Sequence, residues 1–101
     1  MNKYFEFTVE SDLGLGTQYI EFDDANWAIR QAECHEGRWF NSSQEKYHPE
    51  LGGISLFDQQ LTEVGMQRGK LIDAEEFELA WKLSHEISAQ TAMRPSIEVY
   101  R

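Results

Sequence analysis

Residues 23–37, DDANWAIRQAECHEG, decide the fold, because two local readings compete for them. Read as a helix, the stretch has Asp24 as N-cap, good helix formers from Ala28 to Glu33, and Gly37 just past the end. Read as a hairpin, Trp27 to Cys34 form a strand that turns through His35, Glu36 and Gly37 into a second strand, Arg38 to Ser43. The alternation is imperfect. Trp27 and Ile29 share one face whereas Ala32 and Cys34 share the other, so the hairpin requires a β-bulge.

Upstream the period is unambiguous. In Lys3 to Val9, Phe5, Phe7 and Val9 alternate with Tyr4, Glu6 and Thr8, and in Thr17 to Asp23, Ile20 and Phe22 alternate with Tyr19 and Glu21. Both are half-buried strands, paired antiparallel through the turn-forming ESDLGLG. The glycines of that loop do not make a phosphate cradle, since no lysine accompanies them and Glu10 and Asp12 repel anions.

Downstream, Gln44 to Glu50 reads as a loop, with Pro49 holding His48 away from helical angles. A short edge strand is predicted at Ile54 to Phe57, and Gly65 to Lys70 reads as a turn. Leu71 to Ser88 is an amphipathic helix: Asp73 is its N-cap, Glu76 completes a capping-box pattern, and Phe77, Ala80, Trp81, Ser84 and Ile87 form one stripe. Glu78 and Lys82 are spaced for an i,i+4 pair. Beyond Pro95, Ser96 to Tyr100 alternates as a final strand. The fold class is α+β: a small antiparallel sheet of four to five strands built from hairpins, with one long C-terminal helix on one face, forming a single domain over 1–101.

The run YIEFDDANWAIRQAECHEGRWF resembles the Tyr-x-Glu-x-Asp, Trp-x-x-Arg and Gly-Arg pattern of a family of small bacterial domains of unknown function. Tyr19, Glu21, Asp23, Asp24, Trp27, Arg30, Glu33, Gly37 and Arg38 match in order. The family's Gly-Gly-Thr-x-Leu segment is similar to Gly52, Gly53, Ser55 and Leu56, and its terminal Glu-Phe-Glu-x-x-Trp to Glu76, Phe77, Glu78 and Trp81. Ala28, Gln31, Ala32 and Cys34 depart from it, where larger strand formers are usual. The resemblance favours the hairpin for residues 23–37.

The charge is −9, from 9 basic and 18 acidic side chains, and it is spread over both halves of the chain. Direct nucleic-acid binding is disfavoured, because it needs a basic footprint for phosphates. An acidic surface suits a basic protein partner and speeds encounter with one; solubility alone is the blander account. The single Cys34 excludes an internal disulfide, the opening MNKYFEFTVESD lacks the apolar run of a secretory signal, and no stretch is long enough for a membrane span. A cytoplasmic location follows.

Catalytic groups are sparse. Cys34 and His35 are adjacent on the predicted strand and point to opposite faces. His35, His48 and His85 lack metal-ligand spacing, and the pairs Asp23–Asp24 and Glu75–Glu76 sit at a strand end and a helix start. No catalytic residue, metal or cofactor is expected. The predicted activity is that of an immunity-type inhibitor, neutralising a basic protein such as a nuclease toxin. Its partner-binding residues are Tyr19, Glu21, Asp23, Asp24, Trp27, Glu33, Glu36 and Trp39, a sheet face of aromatics among carboxylates. An element covering that face would instead make Tyr19, Trp27 and Trp39 core. Two alternatives stand beside it: a phage-encoded inhibitor of a bacterial defence nuclease, and a small-ligand or catalytic domain with His35, His48 or Arg30 between helix and sheet. Oligomeric state is open.

Overall fold

A computed structural model of the chain describes residues 1–11, 14–43 and 56–92, without the side chains of Ser11 and of 87–92. The order is β1 (Lys3–Ser11), β2 (Gly14–Phe22), β3 (Ala28–His35), β4 (Arg38–Ser43), α1 (Glu63–Arg68), β5 (Lys70–Ile72) and α2 (Ala74–Ala92). The five strands form one antiparallel sheet in the order β4-β3-β2-β1-β5, and with the helices this makes an α+β fold. The loop predicted at Gln44 to Glu50, with His48, and the strand predicted at Ser96 to Tyr100 lie outside the described residues. So does half of the predicted edge strand; Leu56 and Phe57, its described half, are irregular.

Residues 28–43 are a hairpin, and the bulge its uneven pattern requires is present. Glu21 pairs with Arg30 and Phe22 with Ala28, so Ile29 is the extra residue. Skipping one position turns Ala28 onto the same face as Gln31, where both are buried. Glu36 and Gly37 make the turn, with φ of 51° and 83°, and Gly37 takes that left-handed conformation without a Cβ penalty.

The predicted start of the C-terminal helix is corrected. Lys70 to Ile72 pair with Tyr4 to Glu6 as β5, and α2 begins only at Ala74. Asp73 caps it, its Oδ1 accepting from Glu76 N at 2.8 Å. Much of the predicted turn at Gly65 to Lys70 is helical: α1 is a six-residue helix with Thr62 as N-cap. Three residues of strand and six of helix are too short for periodicity to reveal.

The sheet is covered on both faces. On one, Phe5, Ile20, Phe22, Ala28 and Leu61 are buried together, with Phe7, Phe57 and Met66 partly buried against them; each of the buried Phe, Ile and Leu side chains contributes roughly 1.5–3 kcal/mol. The segment before α1 is tied down here by Phe57 N donating to Gln31 Oε1 (2.9 Å) and Leu61 N to Asn26 O (2.9 Å). On the other face α2 crosses from β1 toward β4. Phe77 stands 5.3 Å from the Tyr4 ring, and Asn41 Nδ2 donates to Ser84 O at 3.3 Å. Phe77, Ala80 and Ser84 of the predicted stripe are buried and Trp81 is half-buried.

Candidate functional site

The crossing of α2 determines which predicted contact residues remain at the surface. Arg30 lies beneath the helix. Its Nε donates to Glu21 Oε1 at 2.5 Å, and its two terminal nitrogens donate to the Glu78 carboxylate at 3.2 and 2.6 Å. Its guanidinium carbon also sits 4.9 Å from the Phe77 ring centre and 5.2 Å from that of Trp81. Burial alone would make the cation less stable, yet the bonds to Glu78 and Glu21 outweigh it and raise the Arg30 pKa. Glu78 therefore faces Arg30 rather than the predicted Lys82; Lys82 approaches Glu86 instead, at 3.9 Å.

Glu21 is buried, and it also accepts from Asn2 Nδ2 (2.8 Å) and Tyr4 Oη (3.3 Å). It anchors Arg30, which in turn holds Glu78 of α2, and has no surface to offer a partner.

Glu33 is likewise buried, on the opposite face of the sheet. Its Oε2 accepts from Gln18 Nε2 at 2.9 Å and Gln31 Nε2 at 2.6 Å, and its Oε1 lies 2.6 Å from His35 Nε2. His35 Nδ1 is 3.1 Å from Gly14 O. Both ring nitrogens thus face oxygen atoms, Gly14 O on one side and the Glu33 carboxylate on the other. Gly16 makes room for the ring: a Cβ there would stand 2.4 Å from His35 Nδ1. Cys34 and His35 occupy opposite faces, and among the described residues no group of three or more His, Cys, Asp and Glu could hold a metal ion.

The remaining predicted contacts separate into three places. Asp23 and Trp27 belong to the β2–β3 connection, where Asp23 Oδ1 accepts from Ala25 N and Trp27 N, both at 2.9 Å. Asp24 is exposed beside them, and Trp27 is 44% exposed. Glu36 is exposed in the β3–β4 turn. Tyr19 and Trp39 meet across β3, their rings stacked at 6.1 Å and both half-buried.

Tyr19 and Trp39 form the candidate site. Glu6 pairs with Tyr19 across the ladder. The Tyr19 pKa is raised by burial first, then by the acidic groups of Glu6, Cys34 and Glu76, so α2 brings Glu76 to the same surface. Leu79 and Leu83 follow Glu76 at helical spacing along α2, with Leu79 61% exposed. Stacked aromatics bordered by carboxylates can bury apolar area against a partner while opposing its positive charge. Sequence reasoning missed Glu6 and Glu76. The ladder position of Glu6 was readable once β1 and β2 were paired, whereas Glu76 depends on where the helix crosses. No helix among the described residues is long and apolar enough to cross a membrane. No protein-family model, curated protein or solved structure matches the chain.

Proposed function

We propose that this protein is an acidic inhibitor of immunity type, acting in the cytoplasm by covering the basic working surface of a protein such as a nuclease toxin. The observation that carries this reading is the half-buried Tyr19–Trp39 stack, with Glu6 paired to Tyr19 across the ladder and Glu76 of α2 acting on the Tyr19 hydroxyl, on a chain of net charge −9. The aromatics supply the anchor, since tight interfaces depend on a few such residues. The carboxylates stand in for substrate phosphates, and the overall charge draws the partner in. Asp24, Trp27 and Glu36 lie beyond this centre as peripheral contacts.

The test begins with a tagged pull-down from the native lysate at low and high salt, followed by stopped-flow association with the recovered protein. Association slows strongly between about 20 mM and about 500 mM salt, Glu6→Gln with Glu76→Gln slows it at low salt, and Tyr19→Ala speeds dissociation. If association were equally fast at both salt concentrations, the electrostatic basis of this function would be wrong.

A further inference from the structure

We propose that the cavity between α1 and the sheet binds a small aromatic or branched aliphatic carboxylate. It lies on the face opposite α2 and the Tyr19–Trp39 stack and is independent of the inhibitor reading. Its volume is about 230 Å³. Sites for drug-sized molecules run from about 300 to 1,000 Å³, so the occupant is smaller, a ring with a short branch.

The floor is Phe7, Ile20 and Phe22, and Leu61 and Gly65 stand on the α1 side. The wall at Phe7 is held by a close approach. Gly69, the C-cap of α1, sits so near that ring that a Cβ would fall 2.5 Å from it. Polar anchoring is asymmetric. Gln18 reaches the cavity, but its amide already donates to Glu33. Among the described residues Arg68 is the one charged side chain lining the cavity, and it has no carboxylate partner there.

That is unexpected in a protein with twice as many acidic as basic side chains, in which Arg30 holds two carboxylates. An apolar cavity with an uncommitted guanidinium selects a ligand with an apolar body and an anionic head, because guanidinium pairs bidentately with carboxylate.

The experiment is an amide NMR titration of the full chain with 4-isopropylbenzoate and, separately, with neutral 4-isopropylbenzamide. The acid saturates at millimolar concentration or below, as its small size allows, and shifts the amides of Ile20, Gly65 and Arg68. Arg68→Gln weakens the acid by about tenfold and leaves the amide unchanged, the loss of one charge-assisted contact. Arg68 is exposed, so this variant keeps the fold, and unchanged resonances in β3 and β4 verify it. No saturation by the acid up to about 10 mM, equal affinity for the two probes, shifts centred elsewhere, or an Arg68→Gln variant that binds the acid as before would each overturn the proposal.

Discussion

Arg30 Nε donates to Glu21 Oε1 at 2.5 Å, beneath a helix contributed by residues more than forty positions further on. The contact joins a strand pair to α2 through one guanidinium, which also holds Glu78 and lies against the Phe77 and Trp81 rings. Two residues with the composition of a charged surface are thereby part of the scaffold. The candidate site, by contrast, lies where this helix leaves Tyr19 and Trp39 half-buried.

Arg30→Met is expected to destabilise the fold by about 2–4 kcal/mol, because Glu21 is then left buried without its cation. Arg30→Lys does not restore the loss, since an ammonium cannot serve Glu21 and the Glu78 carboxylate in the same fork geometry. Glu78→Gln costs under about 1 kcal/mol, as Glu78 is exposed. Urea midpoints of the three variants check the ranking.

Gly16→Ala is expected to cost about 1–3 kcal/mol through overpacking. The new Cβ would meet both the His35 ring and, at 2.5 Å, the Cys34 carbonyl oxygen. The ring can turn aside but the backbone oxygen cannot without opening the β2–β3 ladder. Amide exchange at Gly16 and His35 should therefore accelerate.

His35→Leu is expected to destabilise by roughly 3 kcal/mol, because the buried Glu33 carboxylate keeps its two glutamine donors but loses the imidazole. Adding Glu33→Gln removes the uncompensated charge and recovers part of that loss. A double-mutant cycle in urea measures the coupling; two losses that simply added would show that the pair does not act as one unit.

Tyr19 and Tyr4 both have raised pKa values, Tyr19 through burial and then Glu6, and Tyr4 through burial and then Glu21. A group whose folded pKa lies above its unfolded value adds stability below the unfolded pKa and loses it as pH rises through the folded one. Stability should accordingly decline from about pH 10 upward. Tyr4→Phe with Tyr19→Phe flattens that decline, as chemical denaturation at stepped pH would show.

Much of this architecture was legible in local chemistry. Phe5 and Phe7 on β1 and Ile20 and Phe22 on β2 alternate cleanly because a strand's side chains have a period of two, and β1 and β2 appear as expected. Asp73 and the positions of Phe77, Ala80, Trp81 and Ser84 mark α2 because a cap and a 3.6-residue period are local properties. Of the contact residues, Tyr19 and Trp39 come together as an aromatic pair, and Asp24, Trp27 and Glu36 are exposed. Glu21 and Glu33 are not exposed. Composition cannot distinguish a solvated carboxylate from one whose partners arrive from Arg30 or from Gln18 and His35.

The first hairpin, the capped helix and the acidic balance are local matters, since each depends on neighbouring residues or on simple sums. The remainder depends on contacts between distant parts of the chain. Residues 28–35 satisfy a helix locally and become β3 by hydrogen bonding to β2 and β4, with the bulge at Ile29 bringing their buried residues onto the proper faces. β5 forms because β1 has a second edge to offer. Which carboxylates are interior, and which aromatics stay within reach of a partner, follows from the line α2 takes across the sheet. That line is set by packing among residues far apart in the chain, which no local pattern encodes.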